Sequence, residues 1–263
     1  MQCAAGMPSR HDLAWLTPSG WDDVQQASAA RPTAVRDAVA RWRAADWPLV
    51  VRRAEPEQPP GLLAVGLPLP PDDLGDKVRI GALVAQNAVR RHASPLTFNE
   101  VAGVMPPQWR TASLALQLAW PEFLTPLRVY GSLAWQALTG MPFLRDGSDI
   151  DLLFTPCNRR EMEQGTELLD AHGVCLPLDG EILFPGDVAV AWREWRAAML
   201  TGGAGAVLAK RADRVQLVSC QALLLLLALP SGAVVPGMPA AGLPGASPDA
   251  DGGALPAPAM NTP

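Results

Sequence analysis

Two carboxylates, Asp149 and Asp151, stand two positions apart in S-D-I-D-L-L-F (148–154). The apolar run around them reads as a strand, and in an extended chain residues i and i+2 leave the same face. Neighbouring carboxylates repel each other unless a cation neutralises them. Oxygen donors with no histidine or thiolate beside them suit Mg2+ or Mn2+ rather than zinc. Divalent ions held this way are a common arrangement for phosphoryl chemistry. Upstream, Gly131-Ser132 sits where a strand turns into a helix. Glycine lets the backbone approach an anion, and the helix start offers N–H groups and a positive dipole end. Ser132 adds a hydroxyl donor. Alone, each feature is ordinary: many helices follow a Gly-Ser turn, and a D-x-D strand is most often a solvated face. Together they read as a triphosphate site.

Positioning such a site takes a core. The chain has 263 residues, 49% of them hydrophobic, enough for one or two domains. With 26 acidic and 21 basic side chains the net charge is −5, which argues against a nucleic-acid or anionic-membrane partner. It leaves room for a local basic pocket. The cysteines (Cys3, Cys157, Cys175, Cys220) form no C-x-x-C pair and stand far from His11, His92 and His172. Neither a local zinc site nor a disulfide framework is expected, and Cys157 and Cys175 read as small buried hydrophobes. The first ten residues lack the pattern of a signal peptide. The longest apolar run, 222–229, is far shorter than the roughly 20 residues of a membrane span. A cytoplasmic protein is expected.

Along the chain, 11–16 reads as a strand or buried turn. A helix is expected from Thr33 as N-cap, with Val35, Val39 and Trp42 on one face and Pro48 beyond its end. Strands follow at 49–52 and 62–67 and near 78–84, giving a small mixed domain over 10–105. A second domain, 106–220, begins with a helix at 111–118. It continues as a strand at 127–130, a helix at 133–139 closed by Gly140, and the strand 148–154. Asn158 with Glu161 makes a capping-box start for a helix ending at Gly173. Short strands are expected at 174–178, 181–184, 188–192, 207–210 and 215–218, then a leucine-rich helix. Without a strict βαβ rhythm the class is α+β. The Pro/Ala/Gly-rich stretch 231–263 reads as a disordered tail.

The G-S pair followed by a D-x-D strand resembles the nucleotidyltransferase superfamily, with its polymerase-beta-like fold. The segment GSLAWQALTGMPFLRDGSDIDLLF (131–154) looks like the signature of the phosphoribosyl-dephospho-CoA transferases, the malonate decarboxylase holo-[acyl-carrier-protein] synthases. So do RHDLAWL (10–16), VVRRAEPEQPPGLLAVGLPLP (50–70), LDGEILFPGDVAVAWRE (178–194) and VLAKRADRVQLV (207–218). The resemblance implies transfer of the phosphoribosyl-dephospho-CoA group from 2'-(5''-triphosphoribosyl)-3'-dephospho-CoA to a serine of the apo acyl-carrier subunit of malonate decarboxylase, with diphosphate leaving. It implies that Asp149 and Asp151 hold Mg2+ or Mn2+ and serve catalysis, while Gly131 and Ser132 hold the terminal phosphates. It also implies a third carboxylate on a later strand, Asp179 or Glu181, which the sequence does not separate. A hairpin turn at Asp179-Gly180 with an exposed Glu181 is the competing expectation. Arg145, Arg193, Lys210 and Arg211 are candidates for phosphate contacts. Arg52-Arg53 reads first as a solvated strand end, with contact to the donor or to an acidic carrier protein as the alternative; His11 reads as ambiguous, and Tyr130 and Trp135 as core. Two rivals stand beside this reading: a nucleotidyltransferase acting on another acceptor, and a non-catalytic binding protein.

Overall fold

The computed structural model describes residues 8–54, 57–72, 75–203, 205–211 and 214–228. The tail 231–263 lies outside the described residues.

Five strands form a first, antiparallel sheet: β1 (Leu13–Leu16), β2 (Leu49–Val51), β3 (Leu62–Pro68), β4 (Arg79–Ala85) and β5 (Val89–Ala93). Their order is β4-β3-β2-β1-β5. Helices α1 (Pro18–Ala27) and α2 (Thr33–Ala44) follow β1. The sequence reading missed α1, whose start is nonetheless legible: the Thr17 hydroxyl accepts from Gly20 N–H, and Pro18 pre-sets the first turn. In α2 the N-cap is Pro32, without a side-chain cap, and Thr33 is the first helical residue. Val39 and Trp42 are buried as their spacing suggests. The Trp42 indole donates to Pro48 O at 2.9 Å, fixing the helix to the start of β2. Val51, Val65, Leu67, Ile80, Ala82 and Val84 fill one side of this sheet. By alternation, Val50, Arg52, Gly66, Arg79 and Gly81 share the other.

Between Ala93 and Leu96 the chain passes to a seven-stranded sheet. Its elements are β6 (Leu96–Thr97), α3 (Pro107–Ala119), β7 (Arg128–Tyr130), α4 (Gly131–Thr139), β8 (Ile150–Phe154), α5 (Arg159–His172) and β9 (Leu178–Phe184). They continue as β10 (Val188–Ala191), α6 (Trp192–Leu200), β11 (Ala206–Lys210), β12 (Val215–Ser219) and α7 (Cys220–Ala228). The order is β12-β11-β10-β9-β8-β7-β6. Every pairing is antiparallel except β8 with β9, which α5 joins as a crossover. The capping box is present: Asn158 Oδ1 accepts from Glu161 N–H at 3.0 Å, and the Glu161 carboxylate accepts from Cys157 N–H at 3.1 Å. The helix-covered side is apolar, with Trp195 against Phe184 at 5.2 Å and Gly165 against the Phe154 ring.

The mixed helix-and-sheet architecture expected from sequence is present, with several corrections. Residues 174–177 are a turn, because Cys175 and Leu176 N–H groups bond back to His172 O at 3.0 Å. There is no hairpin turn at Asp179-Gly180: β9 runs unbroken from Leu178, since the ladder with β8 takes up this stretch. Glu181 is buried rather than exposed. The strand expected over 188–192 stops at Ala191, where α6 begins, an element missed along with β5 and β6. Cys157 and Cys175 are exposed, because they sit in the connections flanking α5 and not on its packed face.

Gly180 lets β8 and β9 approach. Its φ is +126°, and a β-carbon there would overlap the Leu152 backbone. Gly180→Ala is expected to cost about 3 kcal/mol or more, through strain and overpacking together. Urea unfolding reads this directly, and an unchanged midpoint would refute the tight approach.

Candidate active site

The ladders set one row of side chains across three strands. Tyr130 on β7 is opposite Asp151 on β8, which is opposite Asp179 on β9. The next row on the same face holds Arg128, Leu153 and Glu181. Gly131 turns β7 into α4 with φ +70°, and a β-carbon on it would collide with the Asp151 carboxylate. Only glycine combines that backbone with that contact. The first turn of α4, with Ser132, therefore lies beside Asp151. Asp149 sits in the turn before β8, not on the strand itself.

Burial pushes the Asp151 carboxyl up, and the neighbouring Asp179 and Asp149 push the same way; Lys77 and Arg79 pull it down, leaving it at about 6. This is a crowd of negative charge short of positive charge. Among the described residues no three His, Cys, Asp or Glu side chains come together as a group that could hold a metal ion by themselves. Asp149 and Asp179 nonetheless both act on the Asp151 carboxyl, and all three offer oxygen donors only. Such a set fits Mg2+, which keeps its waters and takes further oxygens from a substrate.

Asp151, Gly131 and Ser132 open onto a cleft of about 680 Å³ between the two sheets, a size suited to a small-molecule ligand. Five basic residues line it: Arg10, Arg52, Arg53, Lys77 and Arg79. The sequence reading passed over Lys77 and Arg79; for Arg52-Arg53 it favoured a solvated strand end over a ligand contact, and both line the cleft. Asp149 faces an adjoining depression shared with Arg145. Arg145 itself donates to Pro71 O at 2.7 Å and to Asp72 O, so it braces a loop. Arg193 likewise donates to Leu178 O at 2.8 Å and lies over the Trp192 ring. Both candidates for phosphate contact are thus bonded to backbone carbonyls, and neither lines the cleft that holds Asp151. Arg211 lines a second pocket with Lys210. Trp135 is core, as read, 5.7 Å from Trp42. Tyr130 is half-buried at the cleft and stacks on His11 at 4.0 Å, and burial keeps its phenol protonated.

The two third-carboxylate candidates part here. Glu181 is 5% exposed and engaged by Arg10 at 2.9 Å, Lys210 at 3.0 Å and His11 at 3.3 Å. Burial alone would raise its carboxyl, but the His11 hydrogen bond and the two cations outweigh that and hold it at about 2. Burial lowers His11, so its neutral ring donates Nε2–H to the ionised Glu181. Glu181 is thus committed to these partners, and Asp179 is the carboxylate beside Asp151.

A folded-state value near 2, below the ordinary 4.5, means that Glu181 stabilises the fold above about pH 4.5. That contribution fades as pH falls toward 2. Glu181→Gln is expected to lose about 2 kcal/mol or more at pH 7, with the gap to the parent closing below pH 4. Thermal unfolding across pH checks both, and a gap that is constant with pH would contradict the ionic hub.

The family model described as "Phosphoribosyl-dephospho-CoA transferase MdcG N-terminal domain" matches residues 9–95, and that of the "MdcG C-terminal domain" matches 95–221. A phosphoribosyl-dephospho-CoA transferase of Bradyrhizobium diazoefficiens is 35% identical over 218 residues, covering 80% of this chain and 90% of the relative. One from Xanthomonas campestris pv. campestris is 35% identical over 219 residues, covering 82% and 97%. One from Pseudomonas putida is 31% identical over 208 residues, covering 73% and 87%. No solved structure matches the chain. Resemblance over both sheets and the whole cleft shows that the chain belongs to the phosphoribosyl-dephospho-CoA transferase family.

Proposed function

We propose that this protein transfers the phosphoribosyl-dephospho-CoA group from its 5''-triphosphate donor to a serine of the apo acyl-carrier subunit of malonate decarboxylase. One observation carries this reading. Asp151 stands opposite Asp179 and against Gly131 in the wall of a basic cleft, a placement that supports phosphoryl transfer of the nucleotidyl type.

The chain's own groups divide the work. Ser132 and the first-turn amides of α4 bind the terminal phosphates, and Lys77 and Arg79 neutralise them. Asp149, Asp151 and Asp179 would hold Mg2+ or Mn2+. When bound, the metal would supply charge neutralisation at the attacked phosphate and the leaving diphosphate. The carrier serine Oγ attacks the phosphorus next to the ribose, the bond to the leaving diphosphate breaks, and a carboxylate of the set takes the serine proton. Little covalent chemistry falls to the protein, so positioning and charge dominate. Carrier proteins are commonly acidic, and the basic cleft suits one despite the net charge of −5. No described helix is long and apolar enough to cross a membrane. Exposed free Cys157 and Cys175 suit a reducing, cytoplasmic setting.

Intact mass of the apo-carrier after incubation with protein, Mg2+ and donor tests the reaction. A gain equal to the phosphoribosyl-dephospho-CoA group is expected, and an AMP gain from ATP would instead support a different nucleotidyltransferase. Asp149→Ala, Asp151→Asn and Asp179→Asn should each lower the rate about a hundredfold to a thousandfold with the fold retained, and EDTA should abolish it. Near-parental turnover in Asp151→Asn would sink the metal-site assignment.

A further inference from the structure

Arg52 lies across two glycines. Gly66 on β3 and Gly81 on β4 are directly opposed in the ladder. A β-carbon on Gly66 would sit 2.8 Å from Arg52 Cδ, and one on Gly81 would collide with the guanidinium. Neither glycine has a positive φ, so space rather than backbone conformation calls for them. Glycine inside a strand weakens it and leaves nothing to pack. Here the sheet gives up two opposed side chains and gains a channel holding one arginine stem. An arginine seated this way is ordered on folding rather than on binding, so its planar fork is presented pre-organised.

The position of the channel is informative. Lys77 and Arg79 are the cations that act on the Asp151 carboxyl. Arg52 lines both the main cleft and a smaller pocket of about 150 Å³, which also has Arg53, Lys210 and Arg211 in its wall. Arg52 thus stands where the cleft meets the smaller pocket, whose Lys210 is already paired with Glu181, while Lys77 and Arg79 act on Asp151. Arg52 has no part in the transfer chemistry derived above.

We propose that Arg52, seated on Gly66 and Gly81, binds a second anionic group of the donor: the diphosphate bridge between its adenosine and pantetheine halves. The inference rests on the functional reading above, under which the donor carries a reacting triphosphate and a separate, unreactive diphosphate. A guanidinium fork matches a diphosphate bidentately. Because this diphosphate does not react, the contact acts on donor binding rather than on the chemical step.

Calorimetric titration of the full chain with dephospho-CoA, and separately with inorganic triphosphate, tests this. Arg52→Ala and Gly81→Ala are both expected to weaken dephospho-CoA binding about 10- to 100-fold, with Arg52→Lys intermediate and triphosphate binding unchanged. In the carrier assay the loss should fall on KM for the donor rather than on kcat. Gly81→Ala keeps the charge and moves it, so a loss there reports position. Should Gly81→Ala misfold, Arg52→Ala decides. Unchanged dephospho-CoA binding in Arg52→Ala, or equal weakening toward triphosphate, overturns the inference alone if the parent still modifies the carrier. A parent chain that ignores dephospho-CoA and transfers AMP overturns the functional reading and this inference with it.

Discussion

The structure depends on one buried carboxylate. Glu181, on β9 of the second sheet, holds Arg10 and His11 at the approach to the first sheet and Lys210 on β11. Burying a single ionised carboxylate costs several kcal/mol, and one partner seldom repays it. Three donors do, and the carboxyl stays ionised down to about pH 2. The chain leading into β1 is thereby fixed against the second sheet. His11 adopts φ +76°, uncommon outside glycine, where its ring both donates to Glu181 and stacks on Tyr130. Tyr130 is in turn the ladder neighbour of Asp151. The width of the cleft and the setting of its carboxylates thus follow from one ion cluster.

Asp179 and Glu181 share a strand and a face, and partners alone separate their roles. Glu181 is saturated by cations. Asp179 faces another carboxylate, whose pKa it helps to raise. Strand alternation put both on the face and β8 pairing chose the row, so a two-residue shift of register would exchange them. That explains how much the sequence disclosed. The strand–Gly-Ser–helix and D-x-D features are local, and their periodicity is readable without a fold. Choosing between Asp179 and Glu181 needed a parallel pairing across the α5 crossover, which no local pattern encodes.

The same division holds for the basic residues. An arginine's type says nothing about which carbonyl or carboxylate it will meet. Arg145 and Arg193 sit close in sequence to site residues, yet they serve backbone carbonyls. Lys77 and Arg79 lie far from the D-x-D segment in sequence, and only the cleft shared by the two sheets brings them near it. The helix α1 was a different kind of miss: its Thr17-Pro18 start was legible, but its short apolar stripe of Trp21 and Val24 was too sparse to register as a period. Residues 174–177 erred the other way, since β-branched and apolar content there serves a turn.

Close approach, more than any added group, shapes the cleft. At Gly131 the missing β-carbon makes room for the Asp151 carboxylate, and at Gly180 it makes room for the β8 backbone. At Gly66 and Gly81 it makes room for Arg52. At three of these positions an added side chain would displace a charged group, and at Gly180 it would push two paired strands apart. Substrate phosphates need donors and cations arranged before they arrive, because reorganising them during the reaction would return part of the gain. A fold that omits side chains at these four positions sacrifices packing enthalpy and backbone stability. It offsets that loss with the buried core: Val65, Leu67 and Ile80 back the Arg52 channel from the opposite face, and Gly180 itself lies on the apolar face beside Leu152 and Ile182. The division of each sheet into one packed face and one polar face is therefore what lets a strained, charge-crowded site exist on a stable fold.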